Sequence, residues 1–443
     1  MVRSIAPGLF YKILNLIIKT KIMKKLYVIL VMALVMMTGC EKNELNTIEF
    51  SSEENIAVPL VRGPGTTGYP NDQIVVQYDP LVTEAQKQLL RDQYGVESYK
   101  KCTCADPTLE LWIFALDRNG NLPGGLDIEE TVVGAKEETE LEGAEVNPTF
   151  QHMGQKLNAL FGVEDMAVAV QSVVPSNQNV TIAVLDTGVD YNYFGFETPF
   201  LYNSQAGQNS CYDNGMEDVF GWDFVNQDNN PFDDYGHGTV ITSLIYDKLS
   251  EQNVDFQILP VKAFNQDGKG TYFDILCGFR YAATKEGVDI INMSFGWYHN
   301  DYELLGRFVE ESEDKVMLIS SAGNSYQNND QTPHYPSSYN VSNGLSIAAL
   351  AESPFNIELA WFSNYGVNSV DIAAFGEGIP FYITPLEFVE VAGTSYANAF
   401  ASAFGGLHFE PGISPQQLKS TVLSNTMQHN NLSTIKYQSY IYY

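Results

Sequence analysis

The chain has 443 residues, of which 44% are hydrophobic, so it can bury ordinary globular cores and is too long for one compact domain. It carries 24 Lys and Arg against 54 Asp and Glu, a formal net charge of −30. So acidic a surface disfavours nucleic acid and anionic membrane surfaces as partners. The charge suits basic peptide substrates, although solubility alone is a sufficient explanation.

Residues 1–40 have the pattern of a targeting segment. Lys24-Lys25 precedes an apolar run of 12 residues, 26–37, which is too short to span a bilayer comfortably as a helix. The run ends in Met37-Thr38-Gly39-Cys40, which resembles a bacterial lipoprotein signal. That resemblance implies cleavage before Cys40, a lipid on its thiol and a location in the bacterial cell envelope. We expect the true start at Met23; a plain secretory peptide and an uncleaved anchor stay open as alternatives.

Residues 41–72 are polar and indicate a flexible tether, and residues 151–178 indicate a linker. Between them, residues 73–150 predict a small α+β domain. Its predicted elements, in chain order, are a strand at Gln73–Tyr78, a helix at Thr83–Tyr94 with Thr83 as cap, a strand at Leu109–Leu116, a helix at Asp127–Glu138 and an extended segment at Leu141–Phe150.

Residues 179–443 predict an α/β domain, because apolar strands alternate with helical stretches. Strands are expected at Val180–Leu185, Gln257–Phe264, Asp289–Ser294, Val316–Ser321 and Leu345–Leu350. Helices are expected at Thr239–Leu249, Tyr272–Glu286, Tyr302–Glu313, Ser395–Phe409 and Pro415–Ser424. This order indicates a parallel sheet with helices on both faces, and sites in such sheets gather at the carboxyl ends of strands.

Four cysteines remain if Cys40 carries a lipid. Cys102 and Cys104 are only two residues apart, which disfavours a bond between them, and the pairing with Cys211 and Cys277 cannot be deduced from sequence. An oxidising envelope permits disulfides. We nevertheless expect unpaired or partly buried thiols.

Three separate segments supply the reactive groups of a hydrolytic site. They are Ala183-Val184-Leu185-Asp186-Thr187-Gly188, Gly236-His237-Gly238-Thr239 and Gly393-Thr394-Ser395. Each places an acid, an imidazole or a hydroxyl beside glycine, and together they provide an orienting acid, a general base and a nucleophile. Taken singly, each has a plainer interpretation as a turn aspartate, a structural histidine or an N-cap serine. The Asp-Thr-Gly turn also fits an aspartic peptidase, but that class needs two carboxylates and hence a homodimer here.

The chain order Asp, His, Ser and the flanking residues resemble the subtilisin-like serine peptidases. Three further segments, collinear with these, support the resemblance over about residues 180–426. Ile291-Asn292-Met293-Ser294-Phe295-Gly296 is similar to the family's substrate-binding strand, Ser321-Ala322-Gly323-Asn324 to its oxyanion-hole segment and Gly268-Lys269-Gly270 to its other substrate-binding edge.

The resemblance implies a role for each matching residue. Asp186 orients His237, His237 takes the proton from Ser395, and Asn324 stabilises the oxyanion. Polypeptide substrates then add as a strand between the two edges, a set that comprises Gly268, Lys269, Gly270, Ser294, Phe295, Gly296, Ala322 and Gly323.

The same resemblance implies that residues 73–150 are a prodomain, which assists folding and blocks the cleft until it is cleaved near residues 148–178. We expect a monomer that requires no cofactor. Calcium is a weaker expectation at Asp223, Asn226 and Asp228, whose oxygens are closely spaced and match a calcium-binding segment of some relatives.

Several positions depart from the family pattern. Tyr396 follows the nucleophile where a small residue or Met is usual, Ala399 replaces a proline, Phe375 stands within Ala374-Phe375-Gly376 in place of Ala-Pro-Gly, and Trp297 stands where glycine is frequent. We expect Trp297 to crowd the cleft and narrow specificity, or to pack on its rim. These departures leave one alternative function, a catalytically impaired protein of the same fold that binds peptides.

Overall fold

The computed structural model describes residues 69–122, 127–152, 154, 156–157, 172–173, 179–197, 199–203, 211–213, 215–218, 220–353 and 356–442. The predicted signal, Cys40, the tether up to residue 68 and most of the linker lie outside these residues. The described residues all belong to one compact unit. None of the helices among them has the length and apolar character needed to cross a membrane.

Residues 69–152, called here the N-terminal domain, form an antiparallel sheet with two helices. Its elements are β1 (Gln73–Tyr78), α1 (Glu84–Tyr94), β2 (Val96–Lys101), β3 (Leu109–Phe114), α2 (Ile128–Lys136), β4 (Leu141–Val146) and β5 (Thr149–Gln151). The strand order is β2-β3-β1-β4. Thr83 caps α1 through a capping box and Asp127 caps α2, close to the predicted helix starts. Strand β2 was not predicted, because it is a mostly exposed edge strand with a polar sequence.

The two faces of this sheet have different partners. Ile74 and Val76 of β1 pack with Trp112 in a core beneath the domain's own helices. Val75 and Leu111 point to the opposite face, since side chains alternate along a strand, and there they join the core of the following domain. The N-terminal domain is therefore packed against the rest of the chain over a whole sheet face.

Residues 179–442, called here the C-terminal domain, contain the predicted parallel sheet. The strands that build this sheet, together with the short β6, are β6 (Ser172–Val173), β7 (Val180–Asp186), β8 (Leu201–Tyr202), β11 (Trp222–Asp223), β12 (Phe256–Lys262), β14 (Ile290–Met293), β16 (Met317–Ser321), β18 (Gly344–Leu350), β19 (Ile372–Phe375), β22 (Met427–Gln428) and β23 (Ser439–Tyr440). Their order is β22-β23-β19-β18-β16-β14-β7-β12-β8-β6, with β11 also beside β12. All neighbours pair in parallel except β22 and β23.

Shorter strands form antiparallel pairs at the edges of this domain. They are β9 (Tyr212–Asp213) with β10 (Met216–Glu217), β15 (Trp297–Tyr298) with β17 (His334–Tyr335), β20 (Ile379–Thr384) with β21 (Glu387–Val391), and β13 (Lys269–Thr271) with β5. The β13–β5 pair is the one that joins the two domains.

Helices cover both faces of the parallel sheet, as predicted. They are α3 (His237–Glu251), α4 (Tyr272–Thr284), α5 (Glu303–Glu311), α6 (Thr394–Leu407) and α7 (Pro415–Ser424). Side chains of α3, α6 and α7 share one core with the sheet, and those of α4 and α5 share the other. The fold class predicted from sequence is thus confirmed. The central strand β7 ends at Asp186, and α3 and α6 begin at His237 and Thr394.

The expectation of unpaired thiols is wrong. Cys102 is bonded to Cys277, with Cα atoms 5.5 Å apart, and Cys104 to Cys211, with Cα atoms 5.2 Å apart. Both cysteines of the N-terminal domain lie just after β2, where a turn with positive φ at Cys104 aims them at different partners. The spacing of two residues in the sequence therefore indicated only that Cys102 and Cys104 do not pair with each other.

Candidate active site

The acid and the imidazole meet at the end of the central strand. Asp186 is fully buried, and one carboxylate oxygen, Oδ1, accepts the N–H of Thr187 at 2.7 Å. Nδ1 of His237 lies 2.9 Å from Oδ1 and 3.0 Å from Oδ2 of Asp186. A carboxylate in this place holds the ring in the tautomer with its proton on Nδ1, so that Nε2 carries a free lone pair.

A second buried aspartate positions the histidine. Asp233 accepts the backbone N–H groups of Tyr235, Gly236 and Thr239 at 3.0, 2.7 and 2.8 Å, and the hydroxyl of Thr239 at 2.6 Å. These bonds satisfy the free N–H groups where α3 begins at His237. Sequence reasoning gave Asp233 no role. Its position four residues before the histidine, at a helix start, is the signal that was available.

Burial and the neighbouring charges act in opposite directions on the two groups. For Asp186, burial disfavours the charged form, but His237 and His152 outweigh it and hold its pKa well below the usual value. For His237, burial is the largest influence and lowers the pKa, against the raising effect of the Asp186 carboxylate. A charged acid beside a neutral imidazole is the state that a general base requires.

The serine is nearby but does not bond to the histidine. Ser395 lies in the first turn of α6, and its Oγ donates to the backbone oxygen of Ser294 at 3.0 Å. In return the Oγ of Ser294 donates to the backbone oxygen of Ser395 at 3.0 Å. Nε2 of His237 is buried and has no hydrogen-bond partner among the described residues. The hydrogen bond between nucleophile and base is therefore absent from this closed arrangement of the described residues.

The side-chain amide of Asn324 is oriented by a residue that sequence reasoning overlooked. Its Oδ1 accepts both the N–H and the hydroxyl of Thr394, each at 2.8 Å. The N–H of Gly323 donates to the same hydroxyl at 3.1 Å. Because the amide oxygen is engaged by Thr394, Nδ2 is left as a donor, and Asn324 lines the same cavity as Ser395. Thr394 was quoted only as a neighbour of the nucleophile, and its own chemistry gave no separate signal.

The predicted substrate edges are occupied by the chain itself. Strand β5 pairs antiparallel with β13, with Gln151 opposite Lys269 and Phe150 opposite Gly270. The N–H of His152 donates to the backbone oxygen of Gly268 at 2.5 Å. The first predicted edge, 268–270, thus holds an added strand, as expected for a substrate. We call its occupant, residues Thr149–His152 together with Gly154, the cleft segment.

The cleft segment runs across His237. The rings of His152 and His237 have centroids 3.9 Å apart, and Nε2 of His152 is 3.6 Å from Oδ2 of Asp186. The hydroxyl of Tyr235 donates to the backbone oxygen of Gly154 at 2.5 Å. A Cβ at Gly154 would overlap Cδ2 of the His237 ring. The backbone at this point leaves no room between itself and the imidazole.

The second predicted edge closes over a small cavity beside Ser395. Ala322, which was predicted to belong to this edge, is fully buried and does not line the cavity. The predicted residues that line the cavity are Ser294, Phe295, Gly296, Gly323, Asn324 and Ser395. The lining residues that were not predicted are Phe264, Ser321, His334 and Thr394, together with Phe150, Gln151 and His152 of the cleft segment. His334 is the first residue of β17, and burial lowers its pKa to about 3, so it is neutral.

Trp297 is a partner of the cleft segment. Its side chain is fully buried, and its indole N–H donates to the backbone oxygen of Asn300 at 2.9 Å. The ring of Phe150 stacks on it, with centroids 4.2 Å apart and an angle of 17°, and meets Tyr302 edge-on at 6.1 Å. In this closed state Trp297 forms the floor for an aromatic side chain and does not exclude the cleft segment.

Tyr396 and Ala399, two other residues that depart from the family pattern, lie at different distances from the candidate active site. The ring of Tyr396 lies 5.6 Å from that of His237, centroid to centroid, and is buried. Ala399 is fully buried in the core on the same side of the sheet as α3. Neither occupies the position of a reacting group.

One group of metal-ligating side chains stands out in the described part of the chain. Ligand atoms of His152, Asp186 and His237 lie within 4.8 Å of one another. Two of these residues already bond to each other as acid and imidazole, and the third belongs to the cleft segment. The cluster is therefore accounted for by the contact between that segment and the site.

In the predicted calcium loop, both carboxylate oxygens of Asp223 and one of Asp228 accept hydrogen bonds from within the loop. Asp223 accepts the N–H groups of Val225 and Asn226 at 2.7 and 2.9 Å and the amide of Asn226 at 2.9 Å. Asp228 accepts the N–H of Asn230 at 2.9 Å. Burial raises the pKa of Asp223 to about 7. Calcium binding at this loop stays a prediction.

Comparisons with known proteins agree with this geometry. The model of the subtilase family, peptidase S8, matches residues 177–438. Halolysin of Haloferax mediterranei is 29% identical over 272 residues, which cover 59% of this chain and 47% of halolysin. The cell wall-associated protease of Bacillus subtilis is 31% identical over 234 residues, covering 52% of this chain and 23% of that protein. Thermitase of Thermoactinomyces vulgaris is 26% identical over 255 residues, covering 56% and 81%.

The chain spans less than half the length of the first two of these relatives. The family model nevertheless matches well over half of the chain and includes the acid, the imidazole, the serine and the amide described above. This chain therefore belongs to the subtilase family.

Proposed function

We propose that this chain is a serine endopeptidase and that its own N-terminal domain holds the enzyme in an inactive state. The observation that carries the proposal is the buried Asp186–His237 pair, in which Nε2 of the histidine has no partner in the described part of the chain, with Ser395 at a helix start in the same cleft. Asp186, His237 and Ser395 would act together as acid, base and nucleophile.

The catalytic cycle begins when the cleft segment leaves. Ser395 then exchanges its bond to the Ser294 carbonyl for one to Nε2 of His237, which takes its proton as the hydroxyl attacks the substrate carbonyl. His237 next returns that proton to the leaving amine, which yields an acyl-enzyme. Water, deprotonated by the same nitrogen, hydrolyses the ester and restores Ser395.

The oxyanion needs donors that are already in place. Nδ2 of Asn324 is one, since Thr394 engages the amide oxygen and fixes the orientation of the amide. The N–H of Ser395, in the first turn of α6, is the other. Both are oriented before a substrate arrives, so no reorganisation is needed as charge develops.

The N-terminal domain acts as an inhibitor in this proposal. Its last strand holds the substrate edge 268–270, and Gly154 leaves no space at His237. An extended segment bonded at that edge mimics a substrate strand. Cleavage of the chain between residue 152 and residue 178 would be the first step of activation.

We further propose that the protein is secreted and anchored in the cell envelope by a lipid on Cys40. The basic start, the short apolar run and Met37-Thr38-Gly39-Cys40 support this. Metabolic labelling with a fatty acid, compared between the wild type and Cys40→Ser, tests it; equal labelling of the two would refute it.

The proposed activity is tested by labelling the protein with a fluorophosphonate probe before and after cleavage of the linker. We expect the label on Ser395 only after the cleft has opened, and none in Ser395→Ala. A second variant, Asn324→Ala, should turn over peptides far more slowly while it still binds them. No labelling of an opened protein would instead favour the alternative, a peptide-binding protein with an inactive site.

A further inference from the structure

Both disulfides join the N-terminal domain to the C-terminal domain. Cys102 and Cys104 follow β2, whereas Cys277 lies in α4 and Cys211 directly precedes β9. The backbone connection between the domains runs through residues 153–178. Cutting that connection removes one of three covalent links and leaves the other two intact.

We propose that the cut protein keeps its N-terminal domain, and that a dithiol reductant is the second signal needed for activation. This rests on the proposed function only in that the retained domain is its inhibitor. In this scheme a cut in the linker comes first and removes the backbone connection. Reduction of Cys102–Cys277 and Cys104–Cys211 then allows the N-terminal domain to leave. The chemical partner is a protein or a small molecule with two vicinal thiols.

Retention of the N-terminal domain matters because the two domains also share extensive noncovalent contacts. The buried carboxylate of Glu145 accepts the Tyr272 hydroxyl at 2.6 Å and the N–H groups of Glu303 and Leu304 at 2.7 and 3.2 Å. Nε of Arg280 donates to Asp106 at 3.0 Å. These contacts reclose the cleft after every opening as long as the domain is tethered.

The size of this effect follows from concentration. A tethered domain rebinds at an effective concentration on the order of 1 mM, whereas a freed domain rebinds at its concentration in solution. At about 10 nM protein, this difference shifts the opening equilibrium by roughly 10⁵-fold. Reduction without dilution changes the opening equilibrium little, because the freed domain rebinds. Reduction followed by dilution opens the active site.

The two bonds differ in access. Cys104 and Cys211 are partly exposed, whereas Cys102 and Cys277 are fully buried beneath the interface. A reductant thiolate needs a line of approach to sulfur, so it reaches Cys104–Cys211 first. The buried bond then becomes accessible when the loosened domain moves, which makes it the last link.

The exchange balances in the ordinary way. One thiolate of the reductant attacks a sulfur of the protein disulfide and forms a mixed disulfide, which releases the other cysteine as a thiolate. The second reductant thiol attacks the mixed bond and leaves as part of an internal disulfide. Each protein disulfide thus gains two electrons and two protons, and each dithiol is oxidised once.

The first test measures retention without any catalysis. In Ser395→Ala, a recognition sequence for a site-specific peptidase is inserted after residue 164 and cut. On a denaturing gel we expect one band without reductant and two with it. Two bands without reductant would overturn the proposal, whatever the activity of the enzyme. The paired variants Cys104→Ser/Cys211→Ser and Cys102→Ser/Cys277→Ser should each still give one band, and the fourfold variant two.

The second test measures access to the site in the cut protein with Ser395 intact. After dilution to about 10 nM, we expect reduction to raise the fluorophosphonate labelling rate tenfold or more, and the fourfold variant to label as fast without reductant. Equal rates in reduced and oxidised protein, with the domain shown to have left, would overturn the gating role. No labelling of a protein from which the domain has left would refute the proposed function and leave covalent retention standing.

Discussion

Phe150→Ala should open the cleft of the uncut protein. The Phe150 side chain is 2% exposed, and its ring packs on Trp297 and Tyr302, both across the domain boundary. Truncation of a buried Phe to Ala costs about 3–5 kcal/mol. Because these contacts are broken when the segment leaves the cleft, most of that cost falls on the closed state.

The magnitude then follows from the opening equilibrium. A loss of about 3 kcal/mol multiplies the opening constant by roughly 10², since about 1.4 kcal/mol corresponds to a factor of ten. If opening and closing are fast, labelling of Ser395 by a fluorophosphonate is proportional to that constant. We therefore expect labelling of the full-length variant to be about 100-fold faster than labelling of the wild type, at equal probe concentration.

A matched control separates this effect from general destabilisation. Leu89 lies on α1 with 67% of its surface exposed, so Leu89→Ala removes apolar atoms from the same domain without touching the cleft. Its labelling rate should equal that of the wild type. An unchanged rate for Phe150→Ala in a protein with normal thermal unfolding would refute the reasoning, because the segment would then not control access.

Three further outcomes are expected. Gly154→Ala places a Cβ 2.8 Å from Cγ and 3.0 Å from Nε2 of His237, so this variant should raise the labelling rate of the uncut chain. The control Gly134→Ala, whose Cβ has its nearest contact at 3.7 Å, should not raise that rate. Equal labelling rates for the two variants would contradict the clash with His237. Asn324→Ala, assayed with the cleft open, should lower kcat by about 10²–10³ and leave KM little changed. A loss of this size is known for such a donor in subtilisin, which belongs to the same family. A change confined to KM would argue against an oxyanion role for Asn324. Burial raises the pKa of Asp289 to about 7 from 3.8, so the folded state binds the proton more tightly and loses stability as pH rises from about 4 to 7. Asp289→Asn lacks this loss and should have a higher Tm than the wild type at pH 8 and an equal Tm near pH 4; the same difference at both pH values would exclude titration as the cause.

The segments that carry the three candidate groups could be found because their patterns are local, whereas the order and roles of these groups came from the family resemblance. Asp186 at the end of an apolar strand and His237 and Ser395 at helix starts follow from hydrophobic periodicity and glycine flanks over a few residues each. For the same reason the main strands and helices lie close to their predicted bounds. Strand β2 was missed because an exposed edge strand has no apolar periodicity to detect.

The supporting residues were not predictable in the same way. Thr394 engages the Asn324 amide 70 residues away, and Asp233 satisfies the first turn of the helix that carries His237. A threonine or an aspartate in a loop has many local uses, so its role depends on which group the fold brings next to it.

The sequence alone determined the family resemblance, the α/β order and the chemical groups of the site. The tertiary structure alone decided that Ser395 bonds to Ser294 and not to His237, that the cleft holds residues 149–152 and Gly154, and that the cysteines link the two domains. Each of these depends on contacts between segments about a hundred or more residues apart. Four cysteines allow three pairings, and the short spacing disfavours only the one that joins Cys102 to Cys104. The packing of the N-terminal sheet on the C-terminal domain selects between the other two.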